Sequence, residues 1–424
     1  MNARPRVLLI APHESYRIGA YLSAAEKMHI DVLVASQGEY SLVTACADGL
    51  HIDLTAPAAA LSLIKQAASQ QAFDAILGTD DATVALASKA AQMLGLRHNS
   101  PAAAEISRRK DKARQCLKVA GIQIPDFWQL DLESDITAQL EAQVDPIKYP
   151  CVLKPLALSA SRGVIRANNR EELLTAAKRI LPVITYADDA EERSQVLVET
   201  YIPGREYAVE AILYDGELDI LAIFDKPEPL EGPFFEETYY ITPTQLSTDR
   251  QQQLRQCISD ACSAYGLHHG PVHAELRIDD QTDPGIWLLE VAARTIGGEC
   301  ARLMRFSTGY CLEELVLAEA TGQRLPRQPL EQAVGVLMLP ITQRGILRRI
   351  EGVTAAQRVN YIEQVLISFN EGYELVPLPE GASYLGFIFA RGPTASAVEK
   401  ALREANACLR VVTAPLLDIV DQRG

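Results

Sequence analysis

The sequence predicts a multidomain α/β and α+β protein, in which an N-terminal parallel α/β domain precedes a larger central domain and a small α+β C-terminal part. Three observations lead to this prediction. Residues 1–100 alternate short apolar strands with helices, which is the pattern of βαβ units. The central region contains apolar strands that end in charged residues. After residue 330, short strands accompany one helix, Ala395–Leu409.

Length and composition limit the classes of protein that need to be considered. The chain has 424 residues, which indicates about two to four domains. Its net charge of −15 argues against binding to nucleic acid, because a basic surface is expected there. No apolar run approaches the roughly 20 residues of a membrane span, and no signal segment precedes the first strand. Eight scattered cysteines without a CxxC pair indicate reduced thiols and a cytoplasmic protein.

The first domain is predicted from six elements. Its strands are Val7–Ala11, Ile30–Ser36 and Ala75–Leu77, and its helices are Ile18–Met28, Leu61–Gln70 and Val84–Leu94. The loop Pro12–Arg17 follows the first strand, at the edge where parallel sheets bind ligands. It lacks a GxGxxG motif, so a dinucleotide site is weakly supported. Arg17 or His13 is either a substrate contact or an ordinary polar loop residue.

The central elements are predicted from their start and stop signals. Pro101 begins a helix, helix-forming residues run on through 110–120, and Gly121 ends them. Further strands are Tyr149–Pro155, Gly163–Ala167, Gln195–Glu199, Tyr207–Leu213, Val272–Ile278 and Trp287–Val291, and further helices are Glu171–Ile180, Arg250–Tyr265 and Tyr310–Thr321. Residues 227–247 form a Pro- and Glu-rich loop, and a loop of this length usually has a function or is disordered.

The most informative motif consists of two glutamates and an arginine. Glu275 and Glu290 each end an apolar run, 15 residues apart, and Arg294 follows four residues after the second. Adjacent strands of one sheet would bring the two carboxylates together, where their repulsion is relieved by a shared cation. Arg294 would then bind an anion that the same metal touches. The pattern therefore predicts a Mg²⁺–polyphosphate site.

Three other motifs are weaker when each is taken alone. Lys154 ends an apolar strand and either faces a phosphate or lies in solvent. The segment Leu158–Val164 either wraps its donors around a phosphate chain or is a plain hairpin turn. The segment Val196–Tyr207 is a strand, a kink and a second strand, and its hinge either stacks on a purine or is structural.

Taken together, the order and spacing of these motifs resemble the ATP-grasp superfamily. The resemblance runs from about residue 100 to 320 and includes Asp111-Lys112, the strand with Lys154, residues 199–206, His273-Ala274-Glu275 and Glu290–Arg294. It implies a pre-ATP-grasp domain at 1–100, an ATP-grasp domain at 101–330 with a lid subdomain at about 125–200, and a C-terminal α+β domain at 331–424. The whole chain is most similar to L-amino acid ligases, which form dipeptides.

The resemblance implies a role for each matching residue. Lys112 and Lys154 would bind the α- and β-phosphates of ATP, and Ser159, Ser161, Arg162 and Gly163 would lie in the lid over them. Glu199, Tyr201 and Ile202 would read adenine, Glu206 the ribose, and Lys226 would reach the γ-phosphate or the lid. Glu275 and Glu290 would hold Mg²⁺ or Mn²⁺. Arg294, Gly297 and Gly298 would bind the reacting carboxylate, and His273 would help to stabilise the oxyanion, unless it is a packed strand histidine.

Two departures from the superfamily pattern stand out. Ala292 occupies the position where the superfamily usually has an asparagine ligand to the metal, so bidentate binding by Glu290 or a water molecule must replace it. The lid loop has a single glycine, Gly163, beside Arg162. That loop is either stiffer than its relatives or uses Arg162 as a phosphate ligand.

The implied activity is formation of an amide bond, driven by ATP. A carboxylate attacks the γ-phosphate to give an acyl-phosphate and ADP, and an amine then displaces phosphate. Amino acids or small carboxylic acids are the expected substrates, and a homodimer is common in the family. Two alternatives stay open: a purine-type or carboxyphosphate-forming ligase, and a non-catalytic nucleotide-binding protein, which the presence of Ala292 makes worth testing.

Overall fold

The computed structural model describes residues 4–13, 15–38, 49–143, 145–187, 189–282, 285–327 and 332–416. Strands are numbered in chain order: β1 Arg6–Ala11, β2 Asp31–Ser36, β3 Gly49–His51, β4 Ala75–Gly78, β5 Phe127–Asp131, β6 Cys151–Pro155, β7 Ile165–Ala167, β8 Gln195–Thr200, β9 Arg205–Tyr214, β10 Glu217–Asp225, β11 Tyr239–Thr242, β12 Gly270–Ile278, β13 Ile286–Ala292, β14 Ala333–Leu339, β15 Gly345–Glu351, β16 Ile362–Ile367, β17 Glu374–Leu375, β18 Gly386–Gly392 and β19 Arg410–Ala414.

Helices are numbered in the same way: α1 Ile18–Met28, α2 Pro57–Gln70, α3 Asp81–Met93, α4 Pro101–Arg108, α5 Lys110–Val119, α6 Ile136–Ala142, α7 Arg170–Ile184, α8 Ala190–Ser194, α9 Thr248–Tyr265, α10 Met304–Thr308, α11 Leu312–Ala320, α12 Val353–Gln357 and α13 Ala395–Cys408. A 3₁₀ turn, Cys300–Leu303, precedes α10. Within the described ranges, none of these helices has both the length and the apolar character needed to traverse a bilayer.

The chain divides into two units, one of residues 1–129, 202–223 and 246–330, and a second of residues 130–201, 224–245 and 331–424. The first unit contains a parallel sheet in the order β3-β2-β1-β4. The predicted N-terminal parallel α/β fold is therefore confirmed. Helix α1 has the predicted limits, and Pro101 begins α4 with the Ser100 side chain accepting from the Ala103 N–H. The domain limits inferred from the sequence stay a prediction.

The first unit also contains an antiparallel group of strands in the order β13-β12-β9-β10. Alternate residues of β12, among them Val272, Ala274 and Leu276, are buried in a core that includes Leu254 and Ile258 of α9. Since strand residues alternate between faces, the intervening residues of β12 lie on the opposite face. That face carries His273, Glu275 and Arg277.

The second unit contains three groups of strands. One follows the order β5-β8-β6-β7, where β5 contributes only its last two residues to this unit. Another follows β11-β14-β18-β16 and packs α13 against a core with Ile388 and Val398, and the third is β17-β15-β19. The prediction of one uninterrupted loop over 227–247 is wrong, because Tyr239–Thr242 forms β11 through antiparallel pairing with β14. Short strands and one long helix after residue 330 match the sequence-based expectation.

We predict that Gly204→Ala strongly destabilises the protein. Gly204 precedes β9 with φ of +102°, and a Cβ built on it would lie 2.1 Å from the backbone oxygen of Ile278. The clash adds to the cost of a left-handed conformation, so we expect the free energy of unfolding to fall by about 3 kcal/mol or more. Gly309→Ala is the matched control, because Gly309 has φ of +82° with nothing within 4 Å, and about 1 kcal/mol is expected there. Equal losses in denaturant titrations of the two variants would contradict the steric explanation.

A second prediction concerns pH and the buried Glu319 of α11. Burial raises the pKa of Glu319 to about 7, although Arg97, 2.7 Å away, opposes the shift. A raised folded-state pKa contributes stability that is complete below the unfolded value of about 4.3 and is lost as pH rises through 7. We therefore expect wild-type stability to decline between pH 5 and 8, and Glu319→Gln to flatten that decline. Parallel profiles for both proteins in urea titrations would show that Glu319 is not responsible.

Candidate active site

The two predicted metal glutamates lie opposite each other on neighbouring strands. Antiparallel pairing of β12 with β13 places Glu275 in register with Glu290, next to a register shift between Glu275 and Leu276. Directly opposed residues project from the same face of a sheet. Their side chains are 20% and 29% exposed, so both are shielded yet accessible. The strand pairing predicted from the sequence is confirmed, and the metal-binding role stays a prediction.

His273 connects this pair of glutamates to a carboxylate that has no solvent exposure. Its Nδ1 lies 3.2 Å from Oε2 of Glu210 on β9, and its Nε2 lies 3.7 Å from Oε1 of Glu275. Burial lowers the pKa of His273, but the hydrogen bonds with Glu210 and Glu275 outweigh it and raise the pKa to about 9. A protonated His273 therefore places one positive charge between Glu210 and Glu275.

Ala292 lies directly opposite His273 in the β12–β13 pairing and is fully buried. A methyl group offers no oxygen to a metal, so these two strands supply Glu275 and Glu290 as their oxygen donors. Ala292, where the superfamily usually has an asparagine, therefore lies next to His273 on the face of the sheet that carries both glutamates.

Arg294 is held by an aspartate from the start of α3. Its Nε donates to Oδ2 of Asp81 over 3.0 Å, and its Nη1 donates to the Thr295 carbonyl over 3.1 Å. Burial raises the pKa of Asp81, but the charge of Arg294 and its hydrogen bond hold that pKa below its usual value. Gly297 and Gly298 follow, the latter with φ of +62°. Asp81 is the first residue of α3, and its partner Arg294 is 213 residues away in the sequence.

The two lysines of α5 take different positions. Lys112, predicted to bind phosphate, is 41% exposed and lies 3.0 Å from Glu105. Lys110 is 12% exposed and lies 3.6 Å from Oε2 of Glu290. Residues two apart on a helix point about 200° from each other, so only one can face a given strand. The structure brings Lys110 to the glutamate pair, which sequence reasoning had missed.

Glu206, predicted to bind ribose, is paired with an arginine. Nε of Arg277 donates to its Oε2 over 2.9 Å, and Nη1 of Arg277 donates to the Ile202 carbonyl over 2.7 Å. One guanidinium therefore fixes the predicted ribose contact, Glu206, and the predicted adenine contact, Ile202. Arg277 could have been noticed from its spacing, since it lies two residues after Glu275 and shares its face.

In the second unit, Lys154 and Glu199 form an ion pair. They sit on the paired strands β6 and β8, and Nζ of Lys154 lies 2.6 Å from Oε2 of Glu199. The side chains are 14% and 2% exposed. A lysine held this way is an ordered donor, so the alternative that Lys154 lies in solvent is wrong.

The predicted phosphate loop of the second unit is tightly curled. Ala160, Ser161 and Gly163 have φ of 54°, 53° and 73°, and the Gly163 N–H donates to the Pro379 carbonyl over 2.9 Å. Ser159 lies in the same loop. Nε of Arg162 is buried and has no hydrogen-bond partner among the residues that the structure describes.

Lys226 and Tyr201 both contact the segment 227–247. Nζ of Lys226 donates to Oε1 of Glu237 over 3.0 Å and lies 4.9 Å from the centre of the Tyr240 ring. The Tyr201 ring stacks on Phe235 at 6.4 Å. These contacts tie two predicted nucleotide residues to one of the predicted lid segments within the second unit.

Comparison with known proteins identifies the family. A model of the ATP-grasp domain matches residues 147–302, which contain Lys154, Glu199, Glu275, Glu290 and Arg294. Residues 147–302 are therefore an ATP-grasp domain. A second model, L-amino acid ligase C-terminal domain 2, matches residues 337–414.

Relatives and solved structures agree with this assignment. The chain is 28% identical over 260 residues to an alanine–anticapsin ligase of Bacillus subtilis strain 168, an alignment that covers 58% of this chain and 53% of that protein. It spans 53% to 59% of the length of the alanine–anticapsin ligases it matches. An L-amino acid ligase structure from Bacillus licheniformis superimposes with a TM-score of 0.79 at 25% identity, covering 97% of this chain and 100% of that one. An N5-carboxyaminoimidazole ribonucleotide synthetase from Thermotoga maritima, with a TM-score of 0.69 and 16% identity, covers 97% of this chain and 100% of its own, and shares the fold.

Proposed function

We propose that the protein is an ATP-dependent carboxylate–amine ligase that joins amino acids, or an amino acid and a small acid, and releases ADP and phosphate. The observation that carries the proposal is the register pairing of Glu275 with Glu290, four residues before Arg294. The ATP-grasp match and the L-amino acid ligase C-terminal match support it. The names of the relatives, which include ligases of alanine, support amino-acid substrates.

Glu275 and Glu290 are the residues we propose to hold Mg²⁺ or Mn²⁺. Two shielded carboxylates on one face of a sheet are the hard oxygen donors that these ions prefer, so the residues present fit the metal. When bound, the ion neutralises charge on the phosphates and on the oxygens that react. Lys110 lies 3.6 Å from Glu290 and His273 lies 3.7 Å from Glu275, so both partly balance the charge of the glutamates.

The remaining proposed roles concern ATP. In the second unit, Lys154 binds phosphate, Arg162 adds a donor from the curled loop, and Glu199 and Tyr201 contact adenine. Lys226 reaches the γ-phosphate or the lid. In the first unit, Glu206 accepts from the ribose, the Ile202 backbone reads the base edge, and Lys112 binds phosphate. Each assignment rests on the resemblance, supported by the ordered positions of these side chains.

The proposed reaction has two steps. A carboxylate oxygen forms a bond to the γ-phosphorus while the bond from that phosphorus to ADP breaks, which gives an acyl-phosphate. An amine nitrogen then bonds to the acyl carbon, phosphate leaves, and the amine loses a proton. Arg294, fixed by Asp81, orients the carboxylate and stabilises the oxyanion. His273 helps to stabilise the same oxyanion. No covalent enzyme intermediate is needed, since positioning and neutralisation carry the catalysis.

The test is incubation of the purified chain with ATP, Mg²⁺ and pooled amino acids. We expect ADP, phosphate and a new amide in equal amounts. Release of AMP and pyrophosphate would contradict the proposal. Turnover that depends on bicarbonate or formate would instead indicate a purine-type ligase, and ATP binding without turnover would indicate a non-catalytic protein. We also propose a homodimer and a cytoplasmic setting, the latter supported by the seven described cysteines, which form no disulfide with one another.

A further inference from the structure

Two consecutive aspartates hold two arginines from distant parts of the first unit. Asp80 lies 3.3 Å from Nε of Arg17, and Asp81 lies 3.0 Å from Nε of Arg294. Both arginines also bind Thr295: Nη1 of Arg17 donates to its hydroxyl over 2.6 Å, and Nη1 of Arg294 donates to its carbonyl. The two guanidinium groups therefore share one support, although only Arg294 has a role in the proposed reaction.

Arg17 keeps part of its guanidinium available for a ligand. Its side chain is 8% exposed, and its Nε and Nη1 are occupied by Asp80, Thr295 and the Ile296 carbonyl, the last over 2.8 Å. A guanidinium has five N–H donors, so the two on Nη2 remain. Within the described ranges, that nitrogen donates no hydrogen bond that occupies it. Its two donors are therefore available to an acceptor from outside the chain.

Gly297 adjoins this nitrogen. A Cβ built on Gly297 would lie 3.8 Å from Nη2 of Arg17 and 3.8 Å from the hydroxyl of Tyr16. Because Gly297 has no side chain, no atom of that residue occupies the position next to these two donors. The backbone beside it is fixed, since the Ile296 N–H donates to the buried Glu210 carboxylate over 3.1 Å. A guanidinium nitrogen and a hydroxyl are both donors to a carboxylate.

We propose that Arg17, with the Tyr16 hydroxyl, binds the carboxylate of the amine substrate, so that the acceptor is a free amino acid and not a simple amine. This inference rests on the proposed function. Arg294 is assigned to the carboxylate that becomes activated, and an amino acid acting as the amine carries a second carboxylate that the reaction does not consume. A second fixed guanidinium on the same support supplies the counter-charge for it.

Two acceptors and a trapping reagent separate this inference from the proposed function. Hydroxylamine has no carboxylate and converts an acyl-phosphate to a hydroxamate with loss of phosphate, so it reports activation of the donor alone. L-Alanine and L-phenylalanine are then compared with their carboxamides as acceptors, at a saturating concentration of a donor identified by the hydroxamate assay. A carboxamide cannot be activated, so it reports the acceptor site alone.

For the wild type we expect kcat/KM to be about 10- to 100-fold higher for each amino acid than for its carboxamide, a difference typical of one charge-assisted contact. Arg17→Gln should reduce this ratio to near unity by raising the KM of the amino-acid acceptor, with hydroxamate formation preserved. Arg324→Gln is the matched control: this exposed arginine pairs with Glu217, and we expect both readouts to be unchanged. A wild-type ratio near unity, or a ratio that Arg17→Gln leaves intact, would overturn the inference.

If Arg17→Gln does not fold, Arg17→Lys is tested in the same assays. It keeps the charge but loses the fork of donors, so we expect an intermediate ratio, and an unchanged ratio would overturn the inference. If the wild type forms no hydroxamate with any acid tested, the proposed function has failed. If hydroxamate forms but carboxamides serve as well as amino acids, only the assignment of Arg17 has failed.

Discussion

Replacing Glu290 by glutamine is expected to lower the rate of ATP-dependent ligation by about 10²- to 10³-fold, since removing a charged donor weakens the metal that stabilises the transferred phosphoryl group. Glutamine keeps the shape of the side chain and removes its charge. Glu275→Gln should have a similar effect, because Glu275 occupies the register position opposite Glu290. The measurement is ADP release under saturating ATP and substrates.

Glu217→Gln is the control for this charge removal. Glu217 begins β10, is exposed and pairs with Arg324, so the same substitution there should leave the rate unchanged. Thermal unfolding of all three variants checks that the fold persists. Mn²⁺ titration followed by electron paramagnetic resonance should show weaker metal binding in the Glu275 and Glu290 variants. Rates within threefold of wild type in both would refute their assignment as metal ligands.

Replacing Asp81 by asparagine is expected to be the most damaging change for stability and function together. The substitution leaves the buried Arg294 without its carboxylate partner, and breaking such a pair costs about 3–5 kcal/mol. Arg294 also loses the contact that orients it, so we expect the KM of the activated acid to rise as well. Urea unfolding at pH 7 and the KM for the acid are the two measurements.

The pH dependence of the Asp81→Asn effect follows from the lowered pKa of Asp81. A depressed folded-state pKa contributes stability above the unfolded value of about 3.9, and this stability is lost as pH falls through the folded value. The difference between wild type and Asp81→Asn should therefore shrink below about pH 4. Asp31→Asn is the control, since its pairing with Arg4 is exposed and should contribute less than about 1 kcal/mol. Equal losses for both variants would contradict the importance of the buried pair.

The sequence predicted those features that are encoded by local pattern. Helix α1 was placed correctly because its apolar spacing and its flanking loops are local signals. The pairing of Glu275 with Glu290 was predictable because two short apolar runs, joined by a turn, have few alternatives to antiparallel pairing. The β11 strand was missed because its four residues pair mainly with β14, about 95 residues further on, and with the end of β10, and because prolines surround it.

The side chains that position the candidate site could not be predicted in the same way. Asp81 and Arg294 are separated by 213 residues, and nothing in the sequence between them indicates that they meet. Arg17 was considered as a substrate contact on the position of its loop alone, and its support by Asp80 and Thr295 depends on the tertiary fold. The choice between Lys110 and Lys112 depends on which side of α5 faces β13, and the sequence leaves that open.

The central claim is that the protein activates a carboxylate by transferring phosphate to it, and oxygen transfer tests this most directly. A substrate acid labelled with ¹⁸O in its carboxylate is ligated in the presence of ATP, and the released phosphate is examined by ³¹P NMR. The account predicts one ¹⁸O atom in the phosphate for each amide formed, together with ADP. Unlabelled phosphate, or label found in AMP, would contradict it.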